Sequence, residues 1–259
     1  MLKSLKYHVH LDESYFYLAE VKERLKVVPG HTIPNSRPIQ SKSNIPKLMF
    51  LSAVGYPDSD TGFNGKIGLW PIENEIVAKR KSKNHESGDI YSLPTTLNAD
   101  LYYKMITKPG GVIDIIWDKI KPPSGVKIIV QQDGAPSHTG ENNLHKINQY
   151  CIDNQIPIVF VTQPAQSPDL NINDLGLFHS LKTGASKKLR QIKTVQELKD
   201  LVIKTFENYD CSKVMNIWEH LKFVYEQIRK FNGQNTYPTH SEKRQISDEN
   251  LNSRKRTKI

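Results

Sequence analysis

Leu5, Tyr7, Val9 and Leu11 alternate with Lys6, His8, His10 and Asp12 along the start of the chain. A period of two predicts a half-buried strand over 5–12, with Asp12 at its end on the polar face. KLMFLSAVGYP (47–57) is almost continuously apolar, which suits a strand buried on both faces, and GKIGLWPI (65–72) reads as another. Residues 98–120 space Leu101, Tyr102, Met105, Ile106 and then Val112, Ile113, Ile116 as helix, interrupted by Pro109-Gly110-Gly111. Strands follow at 126–132 and 156–163, and helices at 140–155 (Leu144, Ile147, Cys151) and 173–189 (Leu177, Leu181). This strand–helix alternation is an α/β pattern. The last third is helical: Thr194 and Glu197 stand in capping-box spacing, and KVMNIWEHLKFVYEQIRKFNG ends at Gly233, a C′ residue. Beyond about residue 240 almost nothing is apolar, and 241–259 reads as a basic, disordered tail.

Composition narrows the function classes. The 259 residues carry a net charge of +9, which points to a polyanionic partner. No apolar run is long enough to span a membrane, and MLKSLKYHVHLDES holds no signal-peptide core. Cys151 and Cys211 stand far apart, in no metal-ligand spacing, which fits a reducing compartment.

Three acidic residues share one kind of setting. Asp12 ends a strand; Asp133 ends IIVQQ, just before the break at Gly134 and Pro136; Asp174 opens a helix after the loop QPAQSPDLNIN. Strand ends and the loops beyond them are where α/β proteins build sites. A carboxylate at the rim of an apolar strand must be solvated, paired or bound to a metal. Three of them converging would repel one another unless divalent cations sat among them, and oxygen-only ligands suit Mg²⁺ or Mn²⁺. Two such ions can activate a nucleophile and stabilise a leaving oxygen in phosphoryl transfer.

The strings themselves go further. VHLDESYFYL (9–18), QQDGAPSHT (131–139) and SPDLNINDLGLFHSLK (167–182) resemble, in order, the three catalytic motifs of mariner-like DNA transposases. GFNGKIGLWPI with AKRKSKN (62–84) resembles a segment of the plant-like branch, and NGQNTYPTH (232–240) its C-terminal end. The resemblance implies an RNase H-like fold over 1–240, a mixed sheet flanked by helices with a helical C-terminal part. It implies Asp12, Asp133 and Asp174 as catalytic metal ligands for Mg²⁺ or Mn²⁺, with two ions expected. It also implies cleavage and strand transfer on double-stranded DNA, both transposon ends and target, by a homodimer in the nucleus. Forty residues separate Asp133 from Asp174, a long spacing for the family. The family's N-terminal helix-turn-helix module is expected to be absent, since only six residues precede Tyr7. The competing expectation is an inactive or domesticated relative that binds DNA and cuts nothing.

The remaining candidates each carry two readings. Glu13, next to Asp12 on a strand, faces the other way and reads as structural. Asp169, in a proline-initiated turn, is a rival carboxylate but suits a backbone-capping role. His138 orients a phosphate or water, or makes a local hydrogen bond. Asn171 supports Asp174 or caps its helix. Lys79, Arg80, Lys81 and Lys83 are a solvated face or a phosphate contact for DNA. SRKRTK (253–258) is a nuclear-localisation signal or a plain charged terminus.

Overall fold

The computed structural model describes residues 5–18, 45–81, 86–189 and 191–233. Lys83 and the 241–259 tail lie outside the described residues. The chain divides into two compact units, Met1–Trp218 and Glu219–Ile259.

The first unit holds a five-stranded sheet of β1 (His8–Tyr17), β2 (Lys47–Gly55), β3 (Lys66–Pro71), β6 (Ile128–Gln132) and β7 (Ile158–Thr162), in the order β3-β2-β1-β6-β7. β2 runs antiparallel to β1 and to β3; β6 runs parallel to β1 and to β7. The sheet is therefore mixed, as expected. Between β3 and the first helix, β4 (Glu73–Val77) and β5 (Ile90–Pro94) form a separate two-stranded hairpin that the apolar pattern does not announce. The hairpin exposes Ile76, Val77, Ile90 and Leu93.

Helices cover both faces of the sheet. On one, Val9, Leu11, Leu51, Ala53, Ile128 and Val130 form a single core with α1 (Ala99–Thr107), α2 (Val112–Ile120) and α4 (Asn143–Asp153). These helices contribute Tyr102 and Ile106, then Ile113 and Ile116, then Ile147 and Cys151. Each such buried side chain contributes roughly 1.5–3 kcal/mol. The opposite face meets α6 (Val195–Glu207), which packs on β1, β2 and β3 and against α5 (Phe178–Leu189). α6 starts with the full reciprocal capping box of Thr194 and Glu197. α7 (Cys211–Lys230) spans the division between the units. Within the first unit, Trp218 is fully buried and donates from Nε1 to the Gly55 carbonyl at 2.8 Å. Gly65, at φ +85°, lies beneath this contact: a Cβ there would come within 2.9 Å of the Gly55 oxygen and of Val214.

One expectation needs correcting. The first strand does not end at Asp12 but runs on to Tyr17, and its polar face is not solvated. His10 is wholly buried and Asp12 is 7% exposed, because α6 and the helix-opening segment at Asp174 cover that face. Alternation identified the faces correctly; a cover contributed from more than 160 residues away was not visible locally.

Candidate active site

Asp12 sits mid-strand, paired across β2 with Ser52 on the α5–α6 face. Parallel pairing of β1 with β6 stops at His10. From there two asparagine side chains take over: Asn173 Nδ2 donates to the His10 carbonyl at 3.2 Å, and Asn171 Nδ2 to the Leu11 carbonyl at 3.0 Å. The Ile172 N–H donates to His10 Nδ1 at 3.2 Å. Burial pulls the His10 imidazole down to about 3, so the ring stays neutral and accepts that bond. Its ring meets Trp218 edge-on at 4.8 Å.

These bonds fasten the segment ahead of Asp174 to the strand that carries Asp12. Asp174 then lies in a π-helical turn, Asn173–Leu177, leading into α5. Such wide turns are frequent at functional sites because they re-aim one side chain. Asn171 makes bonds of both expected kinds, to the strand that carries Asp12 and to the start of the turn that carries Asp174. It ties the loop to β1, while its Oδ1 accepts from the Asn173 N–H at 3.1 Å.

Burial, then the charges of Asp174, Glu13 and Asp133, push the Asp12 carboxyl up to about 8. Asp174 is also raised, by burial and Asp133, although its hydrogen bond with Asp12 and the Lys182 ammonium pull the other way. Two carboxyls this close are stable when they share a proton.

Asp133 immediately follows the last residue of β6, as expected for a strand-end carboxylate. Its Oδ1 accepts from His138 Nδ1 at 2.6 Å and from the Ala135 N–H at 3.0 Å. The His138 contact and the Ala135 bond hold its carboxyl below the usual range against the cost of burial. His138, on the short helix α3 (Pro136–Thr139), is completely buried, and its Nε2 meets Glu13 Oε1 at 2.7 Å. Burial would depress the imidazole, but the bonds to Asp133 and Glu13 outweigh it and raise it to about 10, so both ring nitrogens donate. Asp169 lies in the turn Pro168–Leu170, and none of the three carboxyls owes its shift to it.

Among the described residues, no three His, Cys, Asp or Glu side chains form a ready-made metal cage. Asp133 is engaged with His138, and Asp12 and Asp174 engage each other. The donor set nonetheless suits a hard divalent ion. It offers carboxylate oxygens, a buried acid whose ionisation such an ion would favour, and Ser52 Oγ, buried beside Asp12 without a hydrogen-bond partner.

No protein-family model matches the sequence, and no curated protein does. Solved structures do. The catalytic domain of Mos1 mariner transposase superposes with a TM-score of 0.55 at 16% identity, covering 90% of this chain and 85% of that one. The Mos1 mariner paired end complex with Mn gives 0.63 at 18%, covering 91% of this chain and 58% of that one. The Mos1 paired-end complex with left transposon end gives 0.61 at 18%, covering 89% and 56%. The fold is one that the Mos1 catalytic domain shares. It is RNase H-like, as the motifs implied. The chain spans a little over half the length of the transposase chains in those two complexes.

On this fold, three residues that sequence reasoning did not place in the site lie beside it. Glu13 does point to the opposite face from Asp12, but there it grips His138. Tyr102 lies with its ring 4.4 Å from that of His138 and donates its hydroxyl to Gln132 Oε1 at 2.6 Å. Lys182 donates to Ser14 Oγ at 2.7 Å, within electrostatic reach of Asp174 and Asp12. Lys182 stands inside the third motif, eight residues past Asp174; that is about 80° beyond two turns of a regular α-helix, so spacing alone did not nominate it. The basic residues Lys79, Arg80 and Lys81 are not part of this cluster's hydrogen bonds. They are exposed beyond β4, near the tip of the hairpin, where Lys81 pairs with Glu86 at 2.7 Å.

Proposed function

We propose that this chain is the catalytic domain of a mariner-like transposase, a divalent-metal-dependent DNA endonuclease and strand transferase. One observation carries the reading: Asp12, Asp133 and Asp174 come from three motifs in family order, Asp12 and Asp174 share a hydrogen bond, and the Asp133 charge raises both, on a fold shared with the Mos1 catalytic domain. Asp12, Asp133 and Asp174 are the residues that would hold Mg²⁺ or Mn²⁺, in keeping with the Mos1 complexes described with Mn and with Mg. Bound there, the ions would supply a water nucleophile and neutralise charge on the leaving oxygen. The chain's own contributions are distinct. Asn171 and Asn173 hold Asp174 against Asp12; His138 fixes Asp133; Lys182 adds a positive charge beside the carboxylates. Lys79, Arg80 and Lys81 position DNA through its phosphates without reading sequence. Transposon-end and target DNA as substrates, a homodimer as the working assembly and the nucleus as its place belong to the same reading. So does Lys83 as a further phosphate contact. The intact acidic set favours the enzyme over a relative that only binds DNA.

The test is nicking of supercoiled plasmid by the 259-residue chain in Mn²⁺, beside Asp133→Asn. Nicking should appear with the wild type and vanish in the variant; equal nicking by both would refute the assignment.

A further inference from the structure

We propose that Glu13 is a positioning residue for Asp133, acting through His138; the inference rests on the transposase reading, in which Asp133 is a metal ligand. Asp133 lies past the end of β6 with its side chain 38% exposed, so no strand neighbour fixes its carboxylate. His138 fixes it instead. The ring is fully buried and spans the gap between Asp133 Oδ1 at 2.6 Å and Glu13 Oε1 at 2.7 Å. Both protein contacts to the Asp133 carboxylate, from His138 and the Ala135 N–H, fall on Oδ1. Oδ2 is then the oxygen presented to an outside ligand.

A ring held at one nitrogen can still pivot about that bond. Glu13 removes the freedom. It is anchored in β1, 125 residues away in sequence, and its side chain is only 11% exposed. Tyr102 closes the third side with its ring against the imidazole and its hydroxyl tied to Gln132, the last residue of β6. Strand alternation makes this possible. Asp12 faces the site from one side of β1, and its neighbour Glu13, on the other side, meets the His138 that bonds the second carboxylate. Hydrogen-bonded partners of a ligating carboxylate fix its orientation toward the metal.

The test titrates the full chain with Mn²⁺ alone, by calorimetry, for wild type, Glu13→Ala, Glu13→Gln and Asp133→Asn, with thermal midpoints recorded for each. Glu13→Ala should weaken Mn²⁺ binding by about 10- to 100-fold. Glu13→Gln keeps an acceptor oxygen for His138 Nε2 and should recover most of that loss. A structural role alone would lower the midpoint and leave the affinity of the folded protein unchanged. If Asp133→Asn loses Mn²⁺ while both Glu13 variants bind as wild type does, the role of Glu13 is overturned and the transposase reading stands. If Asp133→Asn itself binds Mn²⁺ like the wild type, the metal assignment falls, and the positioning role falls with it.

Discussion

Replacing Asp12 by Asn should stabilise the metal-free protein at alkaline pH. Asp12 is 7% exposed, and its carboxyl is raised from 3.8 to about 8. The sign follows from linkage. An acid whose folded pKa is raised keeps its proton in the native state while the unfolded chain has lost its own. The native state is therefore penalised as pH climbs from 3.8, and fully so above about 8. The gap is about four pH units at about 1.4 kcal/mol each, a ceiling of about 6 kcal/mol. Asp174 shares the proton through its hydrogen bond with Asp12, so removing one partner recovers only part of this. A relative gain of about 2 kcal/mol or more between pH 5 and pH 8 is expected. Asparagine preserves the acceptor that the Glu13 N–H uses at 2.8 Å, so the local backbone should survive.

The assay is urea unfolding of wild type and Asp12→Asn at pH 5, 6.5 and 8 in the presence of a chelator. The variant should gain on the wild type steadily with pH. Adding Mn²⁺ at a hundred times its Kd should then return about 2.7 kcal/mol to the wild type and little to the variant. A difference between the two proteins that stays flat from pH 5 to pH 8 would refute the reasoning, because it would mean that Asp12 ionises in the native state as freely as in the unfolded chain.

Replacing Lys79, Arg80 and Lys81 with Ala should weaken binding to any DNA duplex and reduce the log–log salt slope by about one for each phosphate no longer neutralised; an unchanged slope would make the hairpin tip mere surface. Trp218→Phe keeps most of the buried ring but leaves the Gly55 carbonyl without its 2.8 Å donor, and should cost about 1–3 kcal/mol in urea unfolding. Lys182→Met removes a charge that pulls Asp174 down, so the urea midpoints of wild type and variant should separate as pH rises, the wild type ahead; midpoints that move in parallel would exclude that electrostatic role.

How much of this was legible beforehand depends on the range of each interaction. Alternation in β1, the apolar runs of β2, β6 and β7 and the capping box at Thr194 are local signals, and they marked most of the sheet and helices that frame the site. The β4–β5 hairpin escaped because neither strand has a buried side: its apolar residues point to solvent, so there is no core for a pattern to report. The three aspartates were nominated by their strand-end and loop positions and by motif strings, and Asn171 and His138 were nominated beside them, but their actual partners were not legible. His10 and Asn173 look like ordinary polar residues in sequence. Only the end of β1–β6 pairing at His10 gives the asparagines two carbonyls to serve.

Glu13 shows the limit most clearly. Period two placed it on the face opposite Asp12, and that inference holds; it did not show what Glu13 touches there. A strand at the centre of a sheet has two covered faces, and the face away from Asp12 holds the helix that carries His138. A buried carboxylate there needs a cation, and a buried imidazole bonded at both nitrogens needs two acceptors. Asp133 and Glu13 supply them. On the proposed reading, the pair of acidic residues Asp12-Glu13 is one device with two ends: one carboxylate for the site itself and one for the residue that sets its neighbour.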